Sequence, residues 1–167
     1  MTFISGHDKL SGMKEQLKSA ILPPLPIVGT LKLTSRDGKT LSMIDVVEEE
    51  SDEVLDPFFE ECFHELERYL TGKSKKICVP LDYSNLGPFQ MKVLKAMKEI
   101  PYGKAATYKD LAIKLNSRAY QAIGSACGRN PFLLIYPCHR VLGSNGLGGF
   151  AHGPQMKQKL LDLEKRL

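Results

Sequence analysis

The sequence predicts an α+β fold: a small antiparallel sheet with a helix in the first half, then a mainly helical second half containing a helix-turn-helix. Three observations carry this expectation. Thr30-Leu31-Lys32-Leu33-Thr34 alternates at the period of a half-buried strand. Phe59, Cys62, Phe63, Leu66 and Leu70 recur at helical spacing. Beyond Pro88, short apolar-periodic runs alternate with helix-stop and helix-start signals.

Residues 1–20 show weak helical character and run into Pro23-Pro24-Leu25-Pro26, which cannot continue a helix, so they read as an N-terminal extension. Arg36-Asp37-Gly38-Lys39 supplies turn chemistry between the strand at Thr30 and a second one over Leu41 to Val47, which together predict a hairpin. The acidic run Glu48 to Glu53 reads as a solvated loop. A helix is expected from Asp56 to Leu70, stopped by Gly72, and a further strand over Ile77 to Leu81. These elements form an N-terminal α/β domain over 21–83. A second domain, over 84–167, starts with Pro88 at a first helical position and the stripe Phe89, Val93, Met97 and Ile100, ended by Pro101-Tyr102-Gly103. Thr107 caps a short helix over Tyr108 to Leu115, with Asp110 in its first turn; Asn116-Ser117-Arg118 breaks it, and Ala119 to Cys127 forms the next. Two short helices joined by a tight turn fit a helix-turn-helix, although the small residues of the second serve helix packing equally well.

With 43% hydrophobic side chains the chain can bury a substantial core, which excludes disorder on a large scale. No apolar run approaches the ~20 residues of a membrane span, and Met1 to Gln16 lacks the apolar centre of a signal peptide. The expected location is the cytoplasm, or the nucleus in a eukaryote, where Cys62, Cys78, Cys127 and Cys138 stay reduced. Cys62-Phe63-His64 fits no zinc spacing, so no metal is expected. The charge is unevenly divided: residues 1–83 hold 10 Lys/Arg against 15 Asp/Glu, a balance of −5, while 84–167 hold 13 against 4, a balance of +9. A basic second half suits a nucleic-acid backbone, and solvated helix faces account for it as well.

The chemistry concentrates in Pro137-Cys138-His139-Arg140-Val141. A thiol attacks as thiolate, and an adjacent imidazole can take its proton; a Cys-His pair is also compatible with ordinary buried structure. The surrounding frame decides between them. Ile123-Gly124, Arg129-Asn130-Pro131, Pro137 to Val141, Gly146 to Gly153 and Leu160-Leu161-Asp162-Leu163-Glu164 resemble the O6-alkylguanine-DNA alkyltransferases, as do Pro88-Phe89-Gln90, Ile100 to Gly103 and Thr107 to Ala112. The resemblance covers about residues 65–167. It implies a repair protein that moves an alkyl group from O6-alkylguanine, with O4-alkylthymine as a second lesion, onto its own Cys138 in a single turnover. No cofactor is implied, and the partner is double-stranded DNA, bound by a monomer.

The same resemblance assigns roles. His139 acts on Cys138 through a water and is oriented by Glu164, which as a bare sequence feature is equally a surface carboxylate facing Lys157 or Lys165. Asn130 braces the turn. Tyr108 contacts the flipped base and its phosphate, the carbonyls of Cys138 and Val141 accept the guanine amine, and amides near Ala151 face the alkylated oxygen. Gln121, Ala122, Gly124, Lys109, Arg118 and Ser144 contact DNA. Three positions depart from the family pattern. Gln121 stands where an arginine usually fills the gap left by the base, and Arg118 could substitute for it. Phe150-Ala151-His152-Gly153 replaces a Tyr-Ser-Gly-Gly-like loop, where His152 either narrows the pocket or, as a lone loop histidine, is inert. Tyr136 stands where an aliphatic residue is usual.

Two other classes are weighed. Alkyltransferase-like proteins bind lesions without transferring the group, and they lack the cysteine this chain has. A Cys-His hydrolase requires an oxyanion hole and a base set apart from its nucleophile, unlike adjacent Cys138-His139.

Overall fold

A computed structural model gives the architecture of residues 16–166. Strands β1 (Lys18–Ile21), β2 (Thr30–Ser35) and β3 (Met43–Val47) form an antiparallel sheet in sequence order, with Leu33 facing Ala20 on one side and Ile44 on the other. Alternate residues Leu31, Leu33 and Ser35 are buried, as the period-two pattern requires. The edge strand β1 corrects the expectation of an extension ending at residue 20: its short run lacks a clear pattern of its own and is held by pairing to β2. The rest of that extension, residues 1–15, lies outside the described residues.

Helix α1 (Pro57–Leu70) buries Phe59, Cys62, Leu66, Tyr69 and Leu70, and Thr71-Gly72 terminates it, with Gly72 at φ 76°. The strand expected over Ile77 to Leu81 does not form. Only Leu81 pairs, in an isolated parallel bridge to Leu41, while the Cys78 N–H is taken by the Glu65 carboxylate at 2.8 Å. Pro80 has no N–H with which to continue a ladder.

Helix α2 (Pro88–Lys98) buries Val93, Leu94, Ala96 and Met97. Phe89, placed on the core stripe by its spacing, is instead 42% exposed, because Leu94 and Ala96 complete the buried face. Helix α3 (Tyr108–Lys114) starts at a capping box in which Thr107 and Asp110 each accept from the other's backbone N–H. Helix α4 (Tyr120–Gly128) packs on both α2 and α3, and α5 (Pro154–Lys165) closes the chain.

Two connections position the Cys138 region. Strand β4 (Ala106–Thr107) pairs in parallel with β5 (Val141–Leu142), tying the start of α3 to the residues just after Cys138. The Ile44 N–H donates to the Pro131 carbonyl at 2.8 Å, joining the sheet to the segment that leads to Cys138. That segment, Phe132 to Tyr136, is wholly buried in a core running from β1 to α5. At about 1.5–3 kcal/mol for each large apolar side chain, its burial holds the following turn against the interior. No described helix is long and apolar enough to cross a membrane.

Candidate active site

Cys138, His139 and Arg140 form a single 3-10 turn between the buried Phe132–Tyr136 segment and β5. Asn130 sets its entry. The Asn130 side-chain amide donates to the Tyr136 carbonyl at 2.8 Å, and its Oδ1 accepts from the Phe132 N–H at 2.9 Å, bridging the two ends of the segment. Tyr136, for which the sequence offers no rationale, anchors the same segment outward: its hydroxyl donates to that of Tyr83 at 3.2 Å, and the Lys98 ammonium lies 4.7 Å from its ring centre.

Behind the cysteine lies a closed polar network. Glu164 is 3% exposed and 2.7 Å from His139 Nε2. The Arg140 guanidinium meets both its oxygens at 2.8–3.1 Å, the Tyr69 hydroxyl donates to Oε1, and the Gly103 N–H donates to Oε2 at 3.1 Å. Glu164 is therefore no surface carboxylate, and Lys157 is not its partner. The two share the buried face of α5 with Leu160 and Leu161, but Lys157 Nζ donates instead to the carbonyls of Val141 (2.5 Å) and Gly149 (3.0 Å). Gly103 is demanded by its place: at φ 76°, an added Cβ would sit 3.2 Å from the Glu164 carbonyl oxygen.

Burial would raise the Glu164 pKa, yet hydrogen bonds from His139 and Arg140 outweigh it and hold the carboxyl down at about 2. A carboxylate ionised in this way accepts from Nε2–H of the imidazole, which fixes the tautomer and leaves Nδ1 as an acceptor. Nδ1 is buried and has no hydrogen-bond partner among the described residues. Burial pushes the His139 pKa down against the pull of Glu164, so the imidazole is neutral at pH 7, and burial pushes the Cys138 thiol up. The resting pair is a thiol beside a neutral base.

In front of Cys138 is a cavity of about 170 Å³. Tyr108, Asn130, Cys127 and Leu133 line it together with Gly124 and Gly128 of α4, and the loop Gly149-Phe150-Ala151-His152 closes it. The Tyr108 hydroxyl donates to the Gly149 carbonyl at 3.2 Å, and Gly148 lets the loop approach: at φ 73°, its missing Cβ would lie 2.6 Å from Gly143 N and 3.2 Å from the Tyr108 ring. Of the residues selected from sequence, Cys138, Asn130, Tyr108, Gly124 and Ala151 thus meet around one cavity, with His139 and Glu164 behind it. Val141 does not line it, and its carbonyl already accepts from Lys157. Lys109, Arg118, Gln121, Ala122 and Ser144 are exposed outside it.

Two family models match the chain. The 6-O-methylguanine DNA methyltransferase ribonuclease-like domain covers residues 25–83, and the DNA binding domain of the same name covers 88–166. The chain belongs to the 6-O-methylguanine DNA methyltransferase family. Relatives include the inducible methylated-DNA–protein-cysteine methyltransferase of Bacillus subtilis, 45% identical over 119 residues; the match spans 70% of this chain and 64% of that protein. A methylated-DNA–protein-cysteine methyltransferase of Saccharolobus solfataricus is 39% identical over 131 residues, 78% of this chain and 85% of its own. Among solved structures, Mycobacterium tuberculosis OGT in complex with DNA superposes with a TM-score of 0.76 at 33% identity, over 89% of this chain and 92% of that one. Tyr69 and Arg140, which hold Glu164, and Lys157, which holds the Val141 carbonyl, are parts of the site that the sequence reading misses. Lys157 and Glu164 stand seven apart, two helical turns, and a helix-periodicity reading of α5 would have put both on its buried face.

Proposed function

We propose that this protein repairs O6-alkylguanine in double-stranded DNA by moving the alkyl group onto Cys138, once per molecule. The observation that carries this reading is a buried cysteine that opens onto a cavity while its neighbour His139 is clamped to an ionised Glu164 behind it. The names of relatives 39–45% identical support the same activity.

In the reaction, His139 Nδ1 takes the thiol proton through an intervening water as the sulfur attacks the alkyl carbon. The carbon–O6 bond breaks with its electron pair leaving to guanine, a carbon–sulfur bond forms, and the proton is delivered to the guanine. Glu164 stabilises the imidazolium while it lasts, in the manner of an oriented base. A thioether has no easy leaving group, so turnover stops at one equivalent. A guanine in a stacked duplex cannot reach a thiol only 9% exposed, so the base is flipped out, at a cost of a few kcal/mol. Tyr108 and the loop amide near Ala151 receive it, and Asn130 holds the turn; Lys109, Arg118 and Ser144 meet phosphates, with Gln121, Ala122 and Gly124 on the helix that faces the groove. In this reading α3 and α4 are the helix-turn-helix, and the chain acts as a monomer whose acceptor domain runs from 84 to 167.

The test is a mixture of the protein with duplex DNA carrying O6-methylguanine, read by intact and peptide mass spectrometry. One methyl mass on Cys138, saturating at one equivalent and absent from Cys138→Ala, is the expected result. Binding with no gain in mass overturns the transfer and leaves a lesion-binding protein.

A further inference from the structure

Helix α4 begins with a large ring in water. Tyr120, its first residue, is 50% exposed, and its hydroxyl has no hydrogen-bond partner among the described residues. An exposed tyrosine is common on protein surfaces, and its place on the helix is what gives this one meaning. Gly124, Cys127 and Gly128 are the α4 residues that line the Cys138 cavity. At about 100° per residue, Tyr120 lies roughly 35° from the middle of that face, whereas Gln121 lies roughly 65° to its other side and nearly opposite the buried face made by Ile123, Ala126 and Cys127.

Tyr120 therefore stands one turn above Gly124 on the cavity side, where helical side chains lean back toward the N-terminus. Nothing at Gly124 would obstruct what passes beneath the ring: even an added Cβ there would meet no atom within 4 Å. The carbonyl of the neighbouring exposed Arg118 accepts the Tyr120 N–H at 2.9 Å, fixing where the helix begins.

A duplex from which one base has been withdrawn needs a group to occupy the gap, and proteins that deform DNA fill such gaps with apolar wedges. Gln121 offers a short, flexible amide. Tyr120 offers a flat ring that stacks on any base, carried on the side of α4 that leads to the cavity without itself lining it. We propose that Tyr120, not Gln121, is the wedge that holds the duplex open, a positioning residue that acts on the DNA stack and not on the thiol. This rests on the alkyl-transfer reading above and adds to it the group that keeps the base extrahelical.

The experiment compares single-turnover methyl transfer from O6-methylguanine in a duplex and in a single-stranded oligonucleotide, for wild type, Tyr120→Ala, Tyr120→Phe and Gln121→Ala. A wedge matters only where there is a stack to hold open. Tyr120→Ala should lower the duplex rate by roughly ten- to a hundredfold, the loss of one base–aromatic stack, and leave the single-strand rate within about twofold. Tyr120→Phe should keep the duplex rate, and Gln121→Ala should lose less than Tyr120→Ala. An unchanged duplex rate in Tyr120→Ala, an equal loss on both substrates, or a loss in Tyr120→Phe as large as in Tyr120→Ala would each overturn the assignment. Fluorescence of 2-aminopurine at the flipped position, measured with Cys138→Ala alone and with Cys138→Ala/Tyr120→Ala, reads the same step without chemistry. If the wild type transfers nothing from either substrate, the repair reading fails, and this fluorescence difference still decides for or against the wedge.

Discussion

The wall behind Cys138 is drawn from four parts of the chain, the side chains of Tyr69 of α1, Arg140 and Glu164 of α5 and the backbone N–H of Gly103, joined by charged hydrogen bonds around the buried carboxylate. The wall in front combines the side chains of Tyr108, Cys127, Leu133 and Phe150 with Gly124, Gly128 and Gly149 and the exposed Ala151 and His152. One wall fixes a protonation state and the other leaves room. A proton acceptor works only if its tautomer is held, which requires partners around its other nitrogen, whereas a cavity requires small residues where a side chain would fill it. The two walls should accordingly differ in how much stability each substitution removes.

The rear wall should break hardest at Glu164. Glu164→Ala leaves Arg140 buried beside an unheld His139, and removing one partner of a buried pair destabilises by about 3–5 kcal/mol. The expected outcome is a shifted denaturant midpoint together with loss of methyl transfer, and Glu164→Gln should be less damaging because the amide oxygen still accepts. Acid should act on the same residue. Its folded pKa is depressed from 4.5 to about 2, so its contribution is complete above the unfolded value and is lost as pH falls from about 4.5 toward 2. At about 1.4 kcal/mol per unit, that loss is on the order of 3 kcal/mol. Buried, neutral His139 works in the same direction from higher pH: its folded pKa lies below 6.5, so the unfolded chain gains a proton first as pH falls below that value. Denaturation curves between pH 7 and pH 3 should show stability falling throughout, with Glu164→Gln flatter below pH 4.5.

Tyr69→Phe removes only a hydroxyl. A hydrogen bond to a charged group contributes about 1.5–3 kcal/mol, and Arg140 and His139 still hold the carboxylate, so the lower end is expected. The same change takes one donor away from Oε1, and the pH at which transfer reaches half its maximum should move while DNA affinity does not. A shift in affinity without a shift in pH profile would assign Tyr69 to packing alone.

How far this division was legible in the sequence depends on the range of the interactions. Helical and strand periods are local, and they placed β2, β3 and α1 to α4 to within a residue or two, with Thr107 and Asp110 marking the start of α3. Cys138, His139, Asn130 and Glu164 were found because a family frame surrounds them. Tyr69 and Gly103 stand 95 and 61 residues from Glu164, and no local signal reports a contact across such spans. The missing strand at Ile77 is the same lesson in reverse: the apolar run is a local signal for a strand, while Glu65, thirteen residues before Cys78, claims the Cys78 N–H. Phe89 shares its helical spacing with buried Val93 and Met97 and is still 42% exposed, because spacing says which residues share a face and not how far that face is covered.

The smallest effect on stability, and the sharpest test of the front wall, belongs to His152. Its ring lies 5.6 Å from that of Phe150, edge to face, and it lines the cavity from a solvent-exposed loop. Partial desolvation of the ring against the cavity lowers its pKa, with Asp45 of β3 pulling the other way, so at neutral pH it presents a neutral ring to the cavity. His152→Gly takes away that ring and one edge contact while touching none of the hydrogen bonds behind Cys138. Exposed substitutions of this kind usually stay within about 0.5 kcal/mol, so the denaturation midpoint should barely move. Selectivity should move instead. A cavity of about 170 Å³ opened on its loop side accepts a bulkier substituent on the guanine oxygen, and transfer from O6-benzylguanine should rise relative to O6-methylguanine. Paired rate measurements on the two lesions check this. A parallel change in both rates would place His152 outside the path of the alkyl group, and a large loss of stability would show that the front wall is built as tightly as the rear one.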